Sequence, residues 1–266
     1  PERIAPVVKK DRLTPKDYLA VVTTPSMLRL VMADLFLVLG PGTTGPIYVF
    51  FFHDAKGFSL KTQVPILLIP YMAAGLFGAP IWGRLAQRLG KHRTVQVACV
   101  CYAITQTILM AIPARLFWPT FAGMFCVGFC ASAFLLLVRA MVADVADQLR
   151  LETGQERSGV LYALVTMTQK FGASITVSII YPILAAVGYD PKETAHNTAH
   201  AIWGLEMCYL FAPILLVLVG GSFFFGYKLT AEKQKQIRDD LEALAAKGAE
   251  AAEESLLGPG EAAPAA

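Results

Sequence analysis

The side chain with the clearest chemical potential in this chain is a lysine inside a long apolar segment. From Val160 to Val187, Lys170 is the only residue with a formal charge. Steps of four residues along a helix place a row of polar side chains on the face of this lysine: Tyr162, Thr166, Ser174 and Ser178. The row could line a cavity that contacts a polar solute, or the lysine could pair with a buried carboxylate. We favour the cavity, because a surface that faces lipid would not carry such a row.

Lys170 lies deep in the membrane if this segment is a transmembrane helix. It follows Ser158 by twelve residues, which corresponds to about 18 Å at 1.5 Å per residue. Insertion scales give a cost of about 2.5–3.5 kcal/mol for a lysine at that depth. The cost indicates that Lys170 contacts a solute or a carboxylate.

Few other charged residues lie within apolar segments. Asp34 and Glu206 each lie about two turns inside a segment, the first and the last in the chain. Arg139 lies near one end of the fourth segment, where its side chain could reach the membrane surface. Asp34 is therefore the best candidate partner for Lys170, although spacing alone does not fix the pairing.

The composition predicts the elements that position these residues. The 266 residues are 55% hydrophobic and 16% charged, whereas soluble proteins are about 25% charged. Six segments are long and apolar enough to cross a hydrocarbon core of about 30 Å. We expect an all-α integral membrane protein with six transmembrane spans, at approximately Met27–Phe52, Leu60–Trp82, Thr94–Phe117, Trp118–Met141, Val160–Gly188 and His200–Tyr227.

Basic residues predict the orientation of the spans. Lysines and arginines cluster before span one, between spans two and three, between spans four and five, and after span six. Such loops face the cytoplasm, so we expect both termini on the cytoplasmic side of the cell (inner) membrane. The opposite loops carry few basic residues, among them Lys56 and Lys192, which we expect to be exposed outside.

The chain divides into three parts by composition. A polar lead-in covers residues 1–25, the six spans cover 26–228, and a charged tail covers 229–266. Within the tail, Ala231–Leu257 has a helix-forming composition without a continuous apolar face. We expect a solvated cytoplasmic helix there and assign it no chemistry.

Glycine and proline residues lie where they could interrupt helices or let them pack closely. Span one contains GPGTTGP (40–46), span two contains Pro65 and Pro70, and span four is rich in small residues (122–132). If spans one to three and four to six are inverted repeats, interruptions in spans one and four would mark a binding cavity. Close packing through small residues explains span four equally well.

The stretch MVADVADQLRLETGQERSGVLYALVTMTQKFG (141–172) carries a resemblance to a known family. It resembles the region around the tenth and eleventh helices of the glycoside–pentoside–hexuronide:cation symporters of the major facilitator superfamily. The matching residues are Asp144, Asp147, Arg157 and the helical Lys170. One departure is Gln148, where the family usually has a tyrosine.

The resemblance implies half of a larger carrier. Members have twelve helices in two halves, so this chain looks like the C-terminal half of a major-facilitator-type bundle. By resemblance, Lys170 faces the central cavity, where we also expect Tyr162, Thr166, Ser174 and Asp34. Asp144, Asp147 and Arg157 would belong to a cytoplasmic charge network, in the link between spans four and five, that steadies one state.

The resemblance also implies partners. They are a small solute, a coupling cation (H⁺ or Na⁺), the lipid bilayer and an N-terminal half that would supply most cation ligands. We expect no other cofactor, no metal site and no nucleic-acid partner.

Three functions fit the sequence to different degrees. The first is cation-coupled symport of a sugar or similar polar solute by alternating access, or the same transport of an amphiphilic or lipid solute. The second is a membrane enzyme, which we do not expect because the sequence lacks an HExxH motif, a Walker loop and a Ser/His/Asp constellation. The third is a non-transporting six-helix partner or scaffold protein.

Overall fold

A computed structural model describes residues 24–154, 158–192, 197–227 and 229–257, with side chains described as far as residue 248. The described residues form helices α1 (Pro25–Phe50), α2 (Gln63–Ile66), α3 (Leu68–Leu89), α4 (Lys91–Ala111), α5 (Phe117–Thr153), α6 (Ser158–Ala186), α7 (Ala199–Ser222) and α8 (Ala231–Leu257). Six helical segments are long and apolar enough to span a bilayer, with α2 and α3 forming one of them. The predicted all-α fold with six spans is confirmed, and the chain is a multi-pass membrane protein.

Helix α5 is longer than the predicted span. Its 37 residues extend about 55 Å, well beyond a hydrocarbon core of about 30 Å. It ends where Gly154 adopts a left-handed conformation with φ of 68° and its N–H bonds the carbonyl of Arg150. Asp144 and Asp147 therefore lie on a helix that continues past the membrane, and placing them in an interhelical link was wrong.

The interruption expected in span one does not occur, whereas the one expected in span two does. Helix α1 is continuous through Pro41 and Pro46 and passes directly into a five-residue π-helix, Phe51–Ala55. Span two is divided at Leu67 between α2 and α3. Pro70 has no N–H to bond the carbonyl four residues earlier, which explains the break.

Glycines bring the helices close together. A Cβ atom at Gly128 of α5 would overlap the backbone of Tyr71 on α3, and one at Gly40 of α1 would overlap Val217 on α7. A side chain at either glycine would push two helices apart. Close packing through small residues, the alternative expected for span four, therefore occurs at Gly128, and Gly40 does the same in span one.

Lys56 is buried rather than exposed outside. Its side chain lies at the end of the π-helix, and its ammonium donates hydrogen bonds to the carbonyls of Met110 (2.8 Å) and Ile112 (2.6 Å). These carbonyls belong to the C-terminus of α4, where a cation is favoured. The expected exposure holds for Lys192, but for Lys56 it was wrong.

Candidate functional site

The lysine row occupies the face of α6 that points away from the other helices. Leu161, Val165, Gly172, Thr176 and Ile180 form the opposite face and are buried in the bundle. The outward face carries an open groove of about 580 Å³, which is lined by Tyr162, Ala163, Thr166, Met167, Lys170, Phe171 and Ser174. The structure thus brings four of the predicted site residues together, with three apolar side chains between them.

The hydroxyls of this groove keep acceptor capacity for a solute. Thr166 donates to the carbonyl of Tyr162 (2.8 Å), and Ser174 donates to the carbonyl of Lys170 (3.1 Å). Each hydroxyl that donates to its own helix still has a lone pair to offer. The ammonium of Lys170 adds three donors and no acceptor. Donors and acceptors at this spacing suit a solute with hydroxyl, carboxylate or phosphate groups.

The structure does not pair Asp34 with Lys170. The carboxylate of Asp34 accepts a hydrogen bond from Gln169 at 3.3 Å. Among the described residues, no acidic group lies within the 4.0 Å ion-pair distance of the Lys170 ammonium. Consecutive residues of an α-helix point about 100° apart, so α6 directs Gln169 towards α1 and Lys170 towards the groove. The expected pairing was wrong, and Asp34 does not line the groove that contains Lys170.

Arg139 lies beside the lysine groove, where its carbonyl meets the hydroxyl of Tyr162. It is exposed and lines a second groove of about 500 Å³ between α3 and α5, together with Tyr71 and Ser132. The hydroxyl of Tyr162 donates to the Arg139 carbonyl at 3.4 Å, which joins the two grooves. The spacing of Ser132 and Arg139, seven residues apart on one helix face, was the signal that could have predicted this.

The predicted gate carboxylates lie in a charge cluster at the end of the bundle predicted to be cytoplasmic. Lys91, the first residue of α4, contacts both carboxylate oxygens of Asp144 at 2.6 Å and also donates to the carbonyl of Ala140. Arg238 of α8 lies 3.6 Å from Asp144 and 3.7 Å from Asp147. Arg157, the third predicted member, lies outside the described residues.

The tail helix is part of this cluster. Helix α8 forms over the predicted residues, but its first turns pack on α5 rather than extending free into solvent. Ile237 and Gln234 are buried there, and Gln234 donates to Asp147 at 3.0 Å. The sequence gives no signal of this packing, because the apolar positions of the tail are isolated and form no continuous face.

A cavity of about 370 Å³ lies inside the cluster, between α3, α5 and the start of α8. Lys91, Asp144, Tyr227 and Arg238 are among the residues that line it. Burial raises the pKa of the Tyr227 hydroxyl, and the nearby Asp144 raises it further. Among the described residues, no group of three or more metal-ligating side chains could hold a metal ion.

Comparison with known proteins identifies the family. The family described as MFS/sugar transport protein matches residues 14–231. The chain belongs to this family. Similar proteins include the human sodium-dependent lysophosphatidylcholine symporter 1 (26% identical) and the isoprimeverose transporter of Lactiplantibacillus pentosus (24% identical). The raffinose carrier protein of Pediococcus pentosaceus is 22% identical.

These relatives are longer than the chain. The three alignments cover 82%, 79% and 84% of this chain, but only 40%, 43% and 35% of the respective relatives. The chain therefore spans less than half the length of each. The resemblance to symporters of the major facilitator superfamily is confirmed, and the relatives are named as sugar transporters or carriers and as sodium-dependent lysophosphatidylcholine symporters.

Proposed function

We propose that this chain is the C-terminal six-helix half of a cation-coupled carrier for a sugar or similar small polar solute. In this proposal the two halves rock about the solute, and the lysine groove on α6 forms this half's side of the cavity. The coupling cation is H⁺ or Na⁺ and is held mainly by the other half. No other cofactor takes part.

The observation that carries the proposal is the exposed position of Lys170. Its Cα atom lies about 18 Å along α6 from that of Ser158, and its side chain is exposed on the face turned away from the bundle. Against lipid, a charge at this depth costs several kcal/mol. If this face of α6 instead lines a water-filled cavity between the two halves of the carrier, Lys170 is solvated, and Tyr162, Thr166 and Ser174 can bind a solute.

The charge cluster at the end of the bundle predicted to be cytoplasmic supports alternating access. Lys91 on α4 contacts Asp144, and Arg238 on α8 lies near both Asp144 and Asp147. Differences of a few kcal/mol in such contacts are enough to bias a two-state equilibrium. We propose that the cluster steadies one state of the carrier, with Arg157 as a further member.

A lysolipid or other amphiphile is a second candidate solute. Met167 and Phe171 alternate with the polar row along the groove, so one wall can contact an alkyl chain while Lys170 contacts a charged headgroup. Relatives named as lysophosphatidylcholine symporters are consistent with this alternative.

Transport assays on the complete carrier that contains this chain test the proposal. Proteoliposomes would be loaded for counterflow with labelled disaccharides, monosaccharides and lysophosphatidylcholine, with and without a Na⁺ or H⁺ gradient. Saccharide exchange supports the first candidate, and lysolipid exchange supports the second. A carrier that exchanges none of these solutes contradicts both and favours a scaffold.

The variant Lys170→Met tests the groove itself. It retains side-chain length and removes the charge, so we expect coupled uptake to be lost while membrane insertion is unchanged. Lys192→Met makes the same chemical change at an exposed residue of an interhelical loop and should transport normally. Normal uptake by Lys170→Met at equal expression would exclude the groove as the solute site.

A further inference from the structure

Asp34 is a buried carboxyl group on α1 that contacts Gln169, the residue of α6 next to the groove lysine. Its exposed fraction is 1%. Met27, Leu30 and Leu37 lie on the same face of α1, at helical spacings of seven, four and three residues, and each is at most 2% exposed. Water therefore does not reach Asp34 in this packing of the helices.

The hydrogen bonds of Asp34 are incomplete. One oxygen, Oδ1, accepts the bond from Gln169 at 3.3 Å. The other oxygen, Oδ2, is buried and has no hydrogen-bond partner among the described residues. An ionised carboxylate has about four acceptor sites, so a single neutral donor leaves most of them unsatisfied.

The charged groups around Asp34 do not complete an ion pair. On α5, Arg139 attracts Asp34 electrostatically, but it is not within ion-pair distance. On α6, Lys170 points into the groove, and on α1 itself Arg29 donates to the carbonyl of Gly226. The end of α7 that packs near Asp34 and the residues that follow it (217–226, VLVGGSFFFG) carry no titratable side chain.

A proton satisfies this site better than an anion does. Burial of an unpaired charge costs several kcal/mol, and a buried group normally neutralises instead. Protonation removes the charge and turns the unpaired oxygen into an O–H donor. It leaves Oδ1 free to accept from Gln169.

We propose that Asp34 is a proton-binding site, occupied while α1 packs against α6 and emptied when the two helices separate and water enters. Release would move one proton from the carboxyl to that water. Release of the proton on helix separation rests on the proposed alternating access, whereas binding of the proton in the packed state does not. Gln169 precedes Lys170 on α6, so a displacement of Gln169 on ionisation would also move the groove lysine.

Infrared spectroscopy of the purified carrier tests proton occupancy directly. At mildly acidic pH, where an exposed aspartate is already ionised, we expect a protonated-carboxyl C=O band that shifts in D₂O and is absent from Asp34→Asn. The control Asp190→Asn changes an exposed carboxylate and should retain the band. If Asp34→Asn does not fold, Gln169→Leu keeps the carboxyl and removes its donor, so the same band should move to higher frequency. A wild-type protein without the band, or a band unaffected by both substitutions at this site, overturns the proposal.

The pH dependence of stability gives a second measurement. An unfolded chain holds Asp34 ionised above about pH 4, whereas the folded chain keeps the proton to a higher pH, so in this window unfolding releases the proton and stability falls as pH rises. Relative to Asp34→Asn, the folding equilibrium constant of the wild type should fall about tenfold per pH unit while the site remains protonated. Equal pH profiles for the two proteins would overturn the proposal. Neither measurement needs transport, so failure of the proposed function and failure of the proton site are distinguishable.

Discussion

Removing Lys91 should destabilise the protein more than removing Asp144, its partner in the ion pair. The Asp144 side chain is 8% exposed, whereas that of Lys91 is 31% exposed. Lys91→Met leaves a nearly buried carboxylate with only Arg238, 3.6 Å away, to compensate it. Loss of a buried charge partner costs about 3–5 kcal/mol, and we expect the lower end because Arg238 remains.

Asp144→Asn should cost less, at about 1–2 kcal/mol. The ammonium of Lys91 keeps its bond to the Ala140 carbonyl and is exposed enough to recruit water. The double variant should cost less than the sum of the two single variants, because each single change already breaks the same pair.

Denaturant titration of the purified protein, followed by helical signal, measures these free energies of unfolding. Lys192→Met is the matched control for the lysine change, since an exposed loop residue should alter stability by at most about 0.5 kcal/mol. An equal cost for the two single variants, or a larger cost for Asp144→Asn, would contradict the asymmetry expected from burial. Simple additivity would show that the two residues do not interact. Either result would refute this reasoning.

Two further predictions concern packing and topology. Gly128→Ala should destabilise the protein by about 1–3 kcal/mol in the same titration, because the new methyl group meets the backbone of α3. Gly75→Ala, where nothing lies within 4 Å of the added atom, is its control, and a similar loss for both would contradict the close crossing. In intact cells, an impermeant thiol reagent should label cysteine at position 192 from outside, and cysteine at position 88 only after the cytoplasmic face is opened. Cysteine at the buried position 56 should resist labelling from either side, and reversal of the first two results would reverse the predicted orientation.

The sequence alone determined the class of the protein and the composition of its groove. A run of apolar residues long enough to cross a bilayer has one stable outcome in lipid, because a helix satisfies all of its own backbone hydrogen bonds. The polar row from Tyr162 to Ser174 was equally predictable, since a spacing of four residues fixes a shared helix face whatever the helix packs against. The tail helix Ala231–Leu257 followed from local propensity in the same way.

Only the tertiary structure decided which of these faces meet. The rotation of α6 about its axis is set by contacts of Gly172 and Thr176 with α1. Because of this rotation, Asp34 accepts its hydrogen bond from Gln169 and does not pair with Lys170. Asp144 likewise pairs with Lys91, which lies 53 residues away along the chain, and with Arg238 on the tail helix. The tail has no continuous apolar face, so its packing against the bundle could not be predicted from its sequence. Local periodicity specifies the face of a helix on which a residue lies, but the partner of that face depends on how the helices pack against one another. Packing is decided jointly by close approach at glycines and by the burial of charges that must find counter-charges or protons.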